Sequence, residues 1–441
     1  MPAAERMRNR RAIEALRAGV PNRDAVLALG STQPEIDANF REQLLTLKQS
    51  LVDGSLPQGM LVKGSFGAGK SHLLEFLSQI ALRENFVCSK VVISKETPFY
   101  DPAKLFRAAA EAAIVPGKVG DALTEIATEL DHESQAYADF DQWVNRSADL
   151  NQMFGATLFI YERMPMTYEG GEVRNRIIRF WSGEKIGKSE IKKWLKGCKE
   201  GVTYDIAKVT IKELALQRFK FAARLMAAAG YAGWVLFIDE LELISRYSLL
   251  QRARSYAELA RWMGGLEGWQ FDGLTAVGSI TDEFAQLVLE DGHDLEKVPG
   301  RLRAKGSPED LLMASQAERG MRVIEQDAIP LASPDNFMLQ AVYDKVKSIY
   351  AHAYDWTPPD VKGGERQYMR QYVKGWITEW DLKRKYPDYQ PSIETEELNV
   401  GYSEDRDFQI SSEGGRGVSN AHPLSRCRRT GGVGRRRIPE D

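Results

Sequence analysis

Apolar residues recur at helical spacing through the first 50 residues, at Ile13 and Leu16 and again at Ile36, Phe40, Leu44 and Leu47, with a break at Gly19-Val20-Pro21-Asn22. The spacing predicts two or three helices leading into a strand. From Met60 the pattern changes to the run Met60-Leu61-Val62, a Gly-rich turn, an apolar helix over 71–83 and a β-branched run over 86–93. Strand, loop, helix, strand is how a parallel α/β sheet begins. Residues 105–210 are helical in pattern and lack a comparable run, whereas 234–239 and 274–280 read as buried strands, so a helical insertion splits the α/β core. Helical periodicity returns over 336–354 and 367–382, with Pro358-Pro359 and Gly363-Gly364 as a linker between them. The expected division is N-terminal helices over 1–50, a first core half over 51–105, a mainly helical and partly basic insertion over 106–210, a second core half over 211–330, a helical lid or C-terminal subdomain over 331–405 and a tail over 406–441. The tail is Gly-, Ser- and Arg-rich without apolar periodicity and is expected to be disordered.

Composition narrows the class. With 441 residues, 43% hydrophobic and 27% charged, the chain is long enough for a sizeable core and close to the globular average. Fifty-nine Lys and Arg against 62 Asp and Glu give a formal charge of -3, so a nucleic-acid partner would have to be met by a local patch. The longest uncharged stretch near the middle, 225–238, contains two glycines and is too short for a bilayer span of about 20 residues. No secretory pattern opens the chain, and a cytoplasmic protein without membrane contact is expected. Cys88, Cys198 and Cys427 have no metal-ligand spacing and do not cluster with the histidines, which disfavours structural zinc and a disulfide framework.

The chemistry gathers at two places. Gly64-Ser65-Phe66-Gly67-Ala68-Gly69-Lys70-Ser71, followed by His72, fits G-x-x-x-x-G-K-[ST] after a strand and at the opening of a helix. There the loop amides and the helix N-terminus would cradle phosphates, Lys70 would reach their oxygens, and Ser71 would ligate Mg²⁺. Phe66 stands where a dinucleotide fingerprint needs its second glycine, which disfavours that fold. The run Trp234-Val235-Leu236-Phe237-Ile238 ends in Asp239-Glu240. Two carboxylates at the end of a buried strand are costly unless they have work there. Asp239 would hold the Mg²⁺ shell and Glu240 would polarise the attacking water, with Glu242 a competing base. A carboxylate directly after the Asp is the pattern of hydrolysing ATPases, and no N-K-x-D guanine reader is present. At the end of the next strand, Ser279 or Thr281 would orient the water opposite the γ-phosphate, as in AAA+ ATPases, or cap the following helix. Arg301 and Arg303 are candidates for reaching a neighbouring subunit's site, or form a solvated basic loop; Arg366 and Arg370 are candidates for a lid arginine.

The runs GSFGAGKSHLLEFL, VVISKETPFYDPAKLFRAA, AAGYAGWVLFIDELELISRYSLLQRARSYAELARW and QYVKGWITEWDLKRKYP resemble the P-loop ATP-binding proteins of phage-defence islands of the BREX (bacteriophage exclusion) type, the BrxD-like subunit. The resemblance spans roughly 11–405. It implies an AAA+ ATPase distantly similar to the origin-recognition and helicase-loader branch, acting with a DNA methyltransferase and other defence components. Lys70 and Ser71 match that family's phosphate and Mg²⁺ residues, and Asp239 with Glu240 match its acidic pair. The Arg-rich tail departs from the family pattern, which ends near Tyr402-Ser403-Glu404-Asp405. The expectation is therefore an α/β P-loop NTPase of the AAA+ (ASCE) type, with a parallel sheet, a helical insertion and a helical C-terminal lid subdomain, binding ATP and Mg²⁺.

DNA contact is a separate question. Residues 174–199 carry nine basic side chains (Arg174, Arg176, Arg179, Lys185, Lys188, Lys192, Lys193, Lys196 and Lys199) against Glu184 and Glu190, with Trp181 and Trp194 interleaved. This is the best candidate for a phosphate-tracking surface, the alternative being a solvated amphipathic helix. Seven arginines against two acids after Gly415 would also bind nucleic acid unspecifically. Two functions follow: an ATPase motor or loader, for which the trans arginine suggests a homo-oligomer, or a nucleotide-gated scaffold that assembles a defence complex.

Overall fold

The computed structural model describes residues 3–20, 22–54, 57–165, 167–198, 204–264, 271–361, 368–388 and 401–405. Among them a six-stranded sheet has the order β3-β2-β4-β5-β1-β6, formed by β1 (Met60–Lys63), β2 (Val87–Val92), β3 (Ala113–Ile114), β4 (Trp234–Asp239), β5 (Leu274–Ile280) and β6 (Ile329–Pro330). All neighbours run parallel except β3, which pairs antiparallel with β2 through Cys88 and Ile114. The sheet is thus mostly rather than wholly parallel, and the exception comes from the 105–210 stretch in which no strand was expected. β3 stays short because Pro116 follows it within two residues and cannot donate to a ladder.

β4 and β5 occupy the centre because every residue in them is buried and, Asp239 at the end of β4 apart, apolar or small. Along β4 the side chains alternate between two cores, Val235 and Phe237 in one, Trp234, Leu236 and Ile238 in the other. The first core is closed by α3 (Pro34–Asp53) and α4 (Lys70–Arg83), through Phe40, Leu44, Leu47, Leu73 and Leu77. The second is closed by α5 (Pro102–Glu111), α11 (Ile211–Ala228) and α12 (Leu249–Met263), to which the insertion helices α6 (Ala122–Thr128), α7 (Gln135–Arg146), α8 (Met153–Arg163), α9 (Tyr168–Trp181) and α10 (Lys188–Gly197) add Phe140, Phe154, Trp181 and Ile191. Each fully buried Leu, Ile or Phe in these layers contributes about 1.5–3 kcal/mol. After β5 come α13 (Asp294–Arg303) and α14 (Pro308–Arg322), the latter lying on α12.

A third core joins the helices nearest the N-terminus to those between residues 336 and 385. α1 (Ala3–Ala18) and α2 (Arg23–Leu29) bury Ile13, Leu16 and Leu29 against α15 (Asn336–Tyr354) and α16 (Met369–Lys385), which supply Val346, Tyr350, Trp376, Ile377 and Trp380. Polar bonds fix the pairing: Arg17 donates to Asp381 from Nε (2.9 Å) and Nη2 (3.1 Å), and Lys345 Nζ donates to the Leu29 carbonyl at 2.7 Å. So α1 and α2 pack on the C-terminal helices, whereas α3 packs on the sheet.

Candidate functional site

β5 lies between β4 and β1 in the sheet, which brings the carboxyl ends of all three strands side by side, with Lys63 opposite Ile280 and Ile238 opposite Gly278. The loop leaving β1 runs into α4 through Gly67 and Gly69, both at positive φ (85° and 106°), a conformation that glycine adopts without strain and that turns successive amides to one side. Lys70 opens α4 and is 8% exposed; its Nζ curls back to donate to the carbonyls of Gly64 (2.7 Å) and Ser65 (3.3 Å). His72, in the first turn of the helix, shares a 2.8 Å bond between Nε2 and the Gly30 carbonyl, and burial holds its imidazole below the usual histidine range.

Asp239 ends β4 and is 4% exposed. Its Oδ1 accepts from Ser279 Oγ at 2.6 Å and from the Glu240 amide at 3.1 Å, which leaves Oδ2 without a hydrogen-bond partner among the described residues. Glu240 has φ 62°, a left-handed conformation that costs a non-glycine residue on the order of 1–3 kcal/mol and turns the chain sharply out of the strand. Its side chain is exposed, while that of Glu242 is buried with Oε2 lacking a partner. Burial raises both carboxyls; Asp239 pushes Glu240 further up, and the Lys70 ammonium pulls both down.

A cavity of about 550 Å³ extends from this cluster. Phe66 through His72, Asp239, Glu240 and Glu242 line one end, and Leu16, Leu29, Val342 and Val373 of the third core line the other. Arg370 sits at the junction: its amide donates to the Gly67 carbonyl (3.3 Å), its guanidinium lies 5.6 Å from the centre of the Phe66 ring, and it packs against Gly19. A polar end with an ammonium and three carboxylates, joined to an apolar end, fits a ligand that carries both phosphates and a flat ring. A family model described as BREX system ATP-binding protein BrxC/D matches residues 5–380. The chain belongs to this BrxC/D family. No curated protein and no solved structure matches the chain.

The remaining positions of interest in this BrxC/D protein lie outside the cavity lining. Ser279 and Thr281 are buried, but neither caps a helix: Ser279 is spent on Asp239, and Thr281 Oγ1 accepts from the Tyr402 hydroxyl at 2.9 Å. Ser65 Oγ donates to Asp282 Oδ2 at 2.7 Å, tying the loop after β1 to the loop after β5. Arg301 and Arg303 end α13 on the surface, and Arg303 pairs with Glu318 at 2.8 Å. Arg366 lies outside the described residues. The stretch 19–31 ahead of the phosphate loop is the expected place for a base pocket, and Gly19, Val20, Leu29, Gly30 and Ser31 do line the cavity; the contribution of α15 and α16 and the bonds made by Asp282 and Tyr402 have no signal in their spacing.

The basic stretch of this BrxC/D chain divides in two. Arg174 donates to the carbonyls of Tyr161 and Met164, Arg176 pairs with Glu184 and Glu190, and Lys188 Nζ bonds the Ile206 carbonyl, so these three serve the fold. Arg179, Lys185, Lys192, Lys193 and Lys196 are exposed. Trp181 is buried with Nε1 donating to Thr157 Oγ1, and Trp194 packs on the core, so the interleaved rings do not offer a stacking surface. Lys199 and the tail lie outside the described residues, among which no helix is long and apolar enough to cross a membrane.

Proposed function

We propose that this BREX ATP-binding protein is a cytoplasmic AAA+ ATPase that hydrolyses Mg-ATP in the cavity and couples its nucleotide state to DNA or partner-protein engagement, a DNA methyltransferase among the partners. The observation that carries the reading is the convergence of Lys70, Asp239 and Glu240 on one polar cavity end. The loop amides of 64–71 bind the β and γ phosphates, and Lys70 leaves the Gly64 and Ser65 carbonyls to meet them. A Ser71 hydroxyl with the unpaired Oδ2 of Asp239 is a hard-oxygen donor set that fits Mg²⁺, and Ser279 fixes the Asp239 carboxylate. Bound Mg²⁺ would neutralise developing charge on the phosphate oxygens. Glu240, thrown clear of the strand by its left-handed backbone, takes the proton of the attacking water. The apolar end holds the base between Leu16, Leu29, Val342 and Val373, which gives α15 and α16, within 331–405, the place of a lid; 106–210 interrupts the core between β2 and β4 as an insertion. Arg370 contributes a positive charge within the chain, and Arg301 or Arg303 does so across a homo-oligomer interface.

The test is steady-state turnover and nucleotide binding by the parent protein, Lys70→Ala and Glu240→Gln, with and without duplex DNA. Lys70→Ala is expected to lose binding and turnover together. Glu240→Gln should keep binding and lose about 10²–10⁴-fold in turnover. Turnover of Glu240→Gln at the parent rate would shift the base to Glu242; binding without turnover by the parent would leave the gated scaffold.

A further inference from the structure

The loop that follows β5 is gripped from two sides. Ser65 Oγ holds Asp282 from the phosphate-loop side at 2.7 Å. From the other side the Tyr402 hydroxyl donates to Thr281 Oγ1 at 2.9 Å, and its ring meets Phe284 edge-on at 6.5 Å between centroids. Thr281 is 2% and Phe284 0% exposed, so this is a packed junction. Burial pushes the Tyr402 phenol up to about 12, with the Thr281 hydrogen bond opposing and the carboxylates of Glu283, Glu242 and Asp282 adding to the rise.

The segment that carries Tyr402 is anchored just beyond it. Glu404 pairs with Arg252 Nη1 at 2.8 Å, and the Asp405 amide donates to the Arg246 carbonyl at 3.0 Å. Arg252 is itself immobilised in the core: Nε and Nη2 donate to Asp294 at 2.9 and 3.0 Å, Nη1 to the Tyr247 carbonyl at 2.8 Å, and Tyr256 completes the Asp294 carboxylate at 2.7 Å. Arg246 closes the 3-10 turn Leu241–Arg246 that starts directly after Glu240. Residues 401–405 therefore bridge the two loops that leave β4 and β5, one opening with Glu240 directly after Asp239, the other with Thr281 two residues after Ser279.

We propose that residues 401–405 form a strap that sets these two loops for turnover, with Tyr402 a positioning residue that acts through Thr281. The inference rests on reading the cavity as an ATPase site. Phosphates entering the loop of 64–71 displace Lys70 from the Ser65 carbonyl, and the Ser65 to Asp282 bond carries that change to Thr281 and the strap.

The test uses the full-length chain with Tyr402→Phe, which removes one hydroxyl and keeps the ring, and Glu404→Gln, which weakens the anchor without touching the junction. In both, kcat for ATP is expected to fall about five- to tenfold, the value of one buried hydrogen bond, while KM stays within about twofold. Hydrogen exchange is read in parallel at the Phe284 amide, which donates to the Thr281 carbonyl at 3.3 Å, and should quicken in Tyr402→Phe. If the parent hydrolyses ATP, an unchanged kcat in Tyr402→Phe overturns the strap, whatever happens to the melting temperature. If the parent does not hydrolyse ATP, the ATPase reading has failed by itself, and the exchange decides: faster exchange sustains the strap and unchanged exchange overturns it.

Discussion

At the scale of single residues, what could be seen in advance was what depends on neighbours in the chain. The glycines and Lys70 of the first loop, and Asp239 at the foot of an apolar run, announce themselves within eight residues. The Ser279 hydroxyl on Asp239 does not, because the two are 40 residues apart and only the strand register brings them together. Arg174 and Arg176 looked like surface charge for a similar reason: their acceptors include the carbonyls of Tyr161, Met164 and Lys185, which no side-chain pattern marks. Glu162 is a further residue whose setting only the structure gives. Burial pushes its carboxyl up to about 7, against a weak opposing pull from Arg163, and its Oε1 is buried without a hydrogen-bond partner among the described residues. The folded state thus holds this proton more tightly than the unfolded chain, so the associated stability is present below the ordinary value of 4.5 and is lost as pH rises through about 7. Glu162→Gln removes the dependence. Its melting temperature should match the parent near pH 4.5 and exceed it above pH 7.5; a gap that is constant with pH would show that the carboxyl does not titrate in this window.

Among elements, the sheet was the most legible part. The apolar runs over 234–239 and 274–280 are strands with those bounds, and 336–354 is a helix with those bounds, because uninterrupted burial and strong periodicity leave little choice. The edge strand β3 was not legible, since two residues carry no pattern. Nor was the packing of α12 on α14. Gly320 looks like an ordinary weak point in a helix, but a Cβ there would lie 1.9 Å from the Tyr256 carbonyl oxygen of α12, so the two backbones meet at a distance only glycine allows. Gly320→Ala must push the helices apart and should cost about 1–3 kcal/mol or more, read as a fall in the denaturation midpoint. Its consequence should extend beyond stability, because α12 carries both Arg252 and Tyr256, the residues that hold Asp294 and through it the anchor for Glu404. An unchanged midpoint would mean that the helices can slide without loss.

On the scale of the whole molecule, the helices nearest the N-terminus and those after residue 335 form one core, and the cavity lies where that core meets the sheet. A sequence read in order cannot show this, since the apolar faces of α1 and α15 have the right period but no indication of a partner more than 300 residues away. A ligand in the cavity would touch α1, α2, α15 and α16 together, whereas α10, with its exposed lysines, packs through Ile191 on the other large core. Coupling between nucleotide and DNA, if α10 tracks phosphates, has to pass through the sheet. The salt dependence of duplex binding isolates the first half of that statement. Each phosphate neutralised contributes about 0.9 to the slope of log affinity against log salt, so replacing Lys192, Lys193 and Lys196 together by Ala should flatten the slope by about 2 to 3. The measurement belongs both in the full chain and in a variant ending at Asp405, because the seven arginines beyond Gly415 add a slope of their own. A slope unchanged in the shortened variant would remove α10 from the DNA path and leave its lysines as the solvated face of an amphipathic helix.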